Sequence, residues 1–162
     1  MDLVVRGVLI GVGATAVLDL WIALLKVAFG VPSRSWALVG RWIGHFPRGQ
    51  FVHASIGKAA PIRYELALGW AFHYFVGALY GLLLIAIGGP AWARQPSPVL
   101  ALAVSLLMLV APLFVMGPAM GDGIAAAKSP NPTAARWRAL MNHAVFAVGL
   151  YGTAWLLARS SQ

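Results

Sequence analysis

Apolar residues fill four long stretches of this chain, at about 7–29, 66–88, 99–119 and 139–158, and the polar residues inside them are few. Each stretch is long enough to cross a hydrocarbon core of ~30 Å, which takes ~20 residues at the helical rise. Backbone amides in lipid must bond within their own segment, so the stretches predict helices rather than strands. The fold expected is all-α: an up-down transmembrane four-helix bundle forming a single integral membrane domain over residues 1–162.

A different pattern separates the first two stretches. Trp36, Val39, Trp42, Ile43 and Phe46 recur at three- and four-residue spacing behind Ser33 or Ser35 as a cap, while Arg41, His45 and Arg48 fall on or near the other face. This predicts an amphipathic helix over about 35–46, lying in the headgroup plane with its cations toward anionic lipid. Glu65 opens the second spanning helix, where a carboxylate suits the positive helix end. Pro90, Pro96 and Pro98 predict a short outer loop over 89–98. Gly121 reads as a helix C-cap, and Asn131-Pro132 as an N-cap followed by proline at the first helical position.

Composition narrows the class further. A chain that is 60% hydrophobic and 10% charged has no room for a soluble module. The absence of cysteine excludes disulfides, thiolate metal sites and cysteine nucleophiles. The first stretch carries Asp19 and Lys26 and lacks a small-residue cleavage site, so it reads as a span rather than a removed signal. The net charge of +8 points to topology, not to nucleic acid. Arg34, Arg41, Arg48, Lys58, Arg63, Lys128, Arg136 and Arg138 would share one side, against Arg6, Arg94 and Arg159 on the other. Basic loops collect in the cytoplasm, so both termini are expected outside.

The candidate chemistry lies inside the spans. Gly7, Gly11, Thr15 and Asp19 follow one another at intervals of four, as do Gly69, His73, Gly77 and Gly81. Small residues in such a row let helices approach closely. An acid within a span requires a partner or a proton, and such groups mark ligand or proton pathways. His73, His143, Asn142, Met116 and Met120 would gather in the cytoplasmic half of an up-down bundle, with Asp19 beneath them. That set predicts a pocket for a small ligand, an ion or a proton, serving transport or stress tolerance. Two histidines from different helices also suit haem, and histidine with methionine suits copper. A third reading is a membrane enzyme acting on a lipid or isoprenoid, with histidine as general base. Arg41, Arg48, Arg63, Arg136 and Arg138 would meet anionic headgroups at the pocket mouth. Four helices enclose little volume, so a homo-oligomer is expected. No Walker loop, dinucleotide fingerprint or nucleophile elbow occurs.

Several of these residues sit in familiar company. Gly13-Ala14-Thr15 with Asp19-Leu20-Trp21, the run from Ala37 to His45, Pro47-Arg48-Gly49, Gly69-Trp70 with His73-Tyr74, Met116-Gly117-Pro118 with Met120-Gly121, and Asn131-Pro132 with Ala135-Arg136 and His143 form a chain-wide pattern. It resembles a bacterial family of small four-span inner-membrane proteins, catalogued as a domain of unknown function. The resemblance implies the bacterial inner membrane and a four-span fold, and brings no reaction with it. A fainter similarity links the two spanning histidines and the Pro–Met–Gly turn to a larger inner-membrane family implicated in acid tolerance.

Overall fold

The computed structural model describes residues 2–160. Among these residues there are helices and turns and no strand. The α-helices are α1 (Leu3–Phe29), α2 (Trp36–Gly44), α3 (Glu65–Arg94), α4 (Pro98–Leu107), α5 (Gly117–Met120) and α6 (Pro132–Arg159). Four segments are long and apolar enough to cross a membrane: Leu3–Phe29, Glu65–Arg94, Pro98–Met120 and Pro132–Arg159. They coincide with the four predicted stretches: the first, second and fourth extend a turn or more beyond one end, and the third extends one residue at each end.

The chain divides into two compact units. One comprises 1–32, 74–108 and 141–162; the other comprises 33–73 and 109–140. In the first, Ile10, Ala14, Leu84, Phe146, Leu150 and Ala154 form an apolar core with Trp92. Glycine sets the spacing there. A Cβ on Gly11 would run into the Gly77 carbonyl, and one on Gly81 into the Gly7 carbonyl. The small-residue rows of α1 and α3 therefore meet backbone to backbone, running antiparallel, the close approach that such rows permit. Thr15 belongs to that seam and donates its hydroxyl proton back to the Gly11 carbonyl at 2.8 Å, so its own hydroxyl is not stranded.

In the second unit Val39, Trp42, Ile56 and Met120 are buried together, flanked by Phe46, Phe72 and Met116. A second glycine seam lies here: Cβ atoms on Gly40 and Gly69 would strike the carbonyls of Glu65 and Trp36. Residues of α2 thus press on the first turns of α3. Ser35 caps α2, its Oγ accepting from the Ala37 N–H at 3.2 Å.

Two connections depart from expectation. The predicted loop over 89–98 is mostly helical. Gly89 takes a left-handed φ of 65° that breaks α3, and from Pro90 the chain coils again as far as Arg94. Proline starts a helical turn here rather than ending one, because its missing N–H costs nothing at a first position. Trp92 and Ala93 are buried in the core of their unit, and the Trp92 indole donates to the Ser97 carbonyl at 3.3 Å. The third span is also not one regular helix. Between α4 and α5, Ala111–Met116 widens into a π-helix around Pro112, whose ring and missing N–H disturb the ordinary ladder. Gly121, at φ 98°, ends α5 as predicted, and the Asn131 side chain accepts from the Ala134 N–H at 3.0 Å to start α6.

Candidate functional site

Polar side chains concentrate in the unit formed by 33–73 and 109–140. The clearest cluster begins where α2 stops. Phe46-Pro47-Arg48 turns once as a 3-10 helix, and Gly49 reverses the chain at φ 71°. The Gln50 N–H then reaches the His45 carbonyl at 3.3 Å, and the Trp42 indole holds the Phe51 carbonyl at 2.8 Å. Farther on, the His53 N–H donates to the Ala119 carbonyl at 2.8 Å. These anchors fold residues 50–53 back over His45.

The result is a pair of facing imidazoles. His53 Nε2 lies 3.1 Å from His45 Nδ1, which also stands 2.9 Å from Gln50 Oε1. His45 Nε2 is 3.0 Å from the Ala60 carbonyl. His45 is 3% exposed. His53 Nδ1 is buried and has no hydrogen-bond partner. Both rings line an open cleft of about 630 Å³ with Arg48, Gln50, Ser55 and Lys58.

Proton positions follow from the partners. A carbonyl cannot donate, so His45 Nε2 carries a hydrogen toward Ala60. The two facing nitrogens need one proton between them, because lone pair against lone pair repels. In the uncharged pair that proton sits on His53 Nε2 and His45 Nδ1 only accepts, so the Gln50 amide turns its NH2 group to Nδ1, and no proton is left for His53 Nδ1. A third proton charges the pair and puts an N–H on that atom, whichever ring carries the formal charge. Burial first, and the neighbouring His45 second, hold His53 below the usual imidazole range, so the bare form is favoured until an acceptor arrives.

Beside the cleft, Arg41 grips Glu65 with two prongs. Its Nε and Nη2 donate to Oε2 and Oε1, each at 2.9 Å, and Nη1 reaches the Ala59 carbonyl at 3.1 Å. The carboxylate keeps this guanidinium charged more firmly than usual. Arg34 binds Asp122 in the same unit and approaches Met120 Sδ at 3.7 Å. A stack completes the picture: His73 lies on Trp36 with ring centres 3.8 Å apart, and Trp70 flanks both.

The residues singled out by sequence divide between the units. His73, Met116 and Met120 belong to the polar unit, where both methionines pack around Trp42. Asp19, Asn142 and His143 belong to the other. There the Tyr74 hydroxyl donates to Asp19 Oδ2 at 2.9 Å, and Ser105 Oγ donates to the His143 carbonyl at 2.6 Å. Asn142 Oδ1 is buried without a hydrogen-bond partner. Among the arginines expected at headgroups, Arg41 is engaged by Glu65, Arg48 lines the cleft, and Arg63 covers the Tyr64 ring at 4.6 Å. Arg136 donates to the Ala125 carbonyl at 2.8 Å, and Arg138 lies in α6. Among the described residues no group of three or more histidine and acidic side chains is placed to hold a metal ion.

His53 and Gln50 escaped the sequence reading, and His45 figured only as a helix-face cation. Their signal was present in Pro47 and Gly49, a turn pair that folds residues 50–53 back onto the end of the preceding helix.

No curated protein and no solved structure matches this chain. The family described as "Protein of unknown function (DUF2938)" matches residues 8–157, and the chain belongs to that family.

Proposed function

We propose that this is a multi-pass protein of a bacterial inner membrane that binds a small anion together with a proton at the His45–His53 cleft. The Lys/Arg asymmetry of the loops supports a cytoplasmic cleft with both termini outside. The observation that carries the reading is the buried, unpartnered His53 Nδ1 beside a hydrogen-bonded second imidazole.

Binding and protonation are linked at that atom. A carboxylate or phosphate oxygen brought to Nδ1 supplies the acceptor that the N–H needs, so the anion raises proton affinity and the proton raises anion affinity. Arg48 and Lys58 on the cleft wall add favourable charge. No acid lines the cleft, and Glu65 is engaged by Arg41. No carboxylate of the cleft wall therefore competes with the ligand for the cleft's cations.

Calorimetric titration of the purified protein in nanodiscs tests this, with inorganic phosphate and acetate as probes. Affinity should rise on the order of tenfold from about pH 8 to about pH 5.5, across the ordinary imidazole range. His53→Ala should abolish the pH dependence. Binding that ignores pH, or survives unchanged in His53→Ala, sinks the reading.

For the spanning part, the Tyr74–Asp19 hydrogen bond favours Asp19 as the acid of a proton pathway. Loss of proton flux into liposomes on Asp19→Asn supports that role; unchanged flux refutes it.

A further inference from the structure

Arg6 presents a separate problem, in the unit that lacks the cleft. It lies three residues after the start of α1 at Leu3, roughly 5 Å along the helix axis. That helix is one of the four apolar enough to cross a membrane, with a mean hydropathy of 2.2. Arg6 itself is only 7% exposed, yet its Nε and Nη2 are buried without any acceptor. A guanidinium cannot shed its proton to escape such a setting, so its charge must be answered by an anion.

Among the described residues, no acid answers it. There are four Asp and Glu residues in all. Asp2 caps α1, its Oδ1 accepting from the Val4 N–H at 2.8 Å. Asp19 takes the Tyr74 hydroxyl, Glu65 takes Arg41, and Asp122 takes Arg34. Each carboxylate is committed elsewhere. The Asp2 backbone carbonyl is likewise occupied, accepting from the Arg6 N–H at 3.0 Å.

We infer that Arg6 is the binding site for the phosphate of an anionic membrane phospholipid. Depth selects the source: one helical turn inside the end of a spanning segment is where lipid phosphates and glycerol esters lie. Chemistry selects the class of ligand, since an arginine's forked N–H donors match the oxygens of a phosphate that the side chain meets on turning outward. The site is independent of the His45–His53 cleft, and either can fail without the other.

Native mass spectrometry of the full chain, released from mixed micelles of phosphatidylglycerol and phosphatidylcholine, gives the test. The wild type should retain phosphatidylglycerol on the order of tenfold over phosphatidylcholine. Arg6→Ala should lose that preference. Arg6→Gln, which is shorter and uncharged but keeps a polar NH2 group, should lose it too and serves if the alanine variant does not fold. Equal retention by wild type and variant overturns the inference. Displacement of the lipid by millimolar inorganic phosphate would show a soluble-anion site instead, and would also overturn it.

Discussion

The two units solve one problem, holding helices together, by different means. In the unit built on Ile10, Leu84 and Leu150, contact is made by taking side chains away: Gly7, Gly11, Gly77 and Gly81 bring two backbones together. In the unit built on Trp42 and Met120, a glycine seam at Gly40 and Gly69 is joined by ionic and hydrogen-bonded latches: Arg41 on Glu65, Arg34 on Asp122, His45 on Gln50 and His53. Lipid tails are as apolar as leucine, so an apolar core alone does not drive helices together in a membrane, and close backbone packing substitutes for it. Polar latches are directional, and they carry groups able to bind something. Chemistry is accordingly richer where the latches are.

If that contrast is right, damage should differ in kind between the units. The largest effect is expected at the glycine seam. Gly77→Leu drives a branched side chain into Thr15 and the Gly11 carbonyl, a clash worth about 3 kcal/mol or more. A collapse of the detergent unfolding midpoint, or loss of folded protein, would be the readout. An unchanged midpoint would mean that the backbones are not in contact.

Arg41→Ala comes next. It strands Glu65 and removes a donor from the Ala59 carbonyl, at a cost of about 2 kcal/mol for this partly exposed pair. Arg41→Lys should recover little, because a point charge cannot reproduce the two-pronged contact. A double-mutant cycle with Glu65→Gln isolates the coupling; zero coupling removes the latch from the account.

Ser35→Ala should cost about 1 kcal/mol by uncapping α2. Amide exchange within Trp36–Gly44 should quicken, while the apolar unit stays protected.

The subtlest test is pH. His53 binds its proton less tightly in the folded state than in the unfolded one. The stability it contributes is therefore fully present above the ordinary imidazole value of ~6.5 and is lost as pH falls from there through the lower value of the folded state. His53→Gln should flatten the acid side of the stability profile, and added phosphate should do the same in the wild type by lending the protonated ring an acceptor. A profile unchanged by His53→Gln would detach this histidine from the acid response.

Much of the framework was legible in the residues. Length and hydropathy alone announced four segments long and apolar enough to span a membrane, since a bilayer permits few backbone solutions. Small residues every fourth position announced faces open to a close neighbour, though not which neighbour, and Ser35, Gly121 and Asn131 announced helix ends through local hydrogen bonds. Gly89-Pro90 was misread because the same pair ends one helix and begins another, and local pattern does not distinguish the two.

What the sequence by itself determined, then, is whatever depends on neighbours within a turn or two: spans, caps, and the faces that small residues clear. Only the tertiary structure decided that His45 meets His53, that Arg41 meets Glu65, and that Arg6 meets no acid among the described residues. Those facts depend on where loops return and on which acids are already engaged. A lone histidine or arginine has the same local signature whether its partner is a carbonyl, another side chain or a ligand from outside.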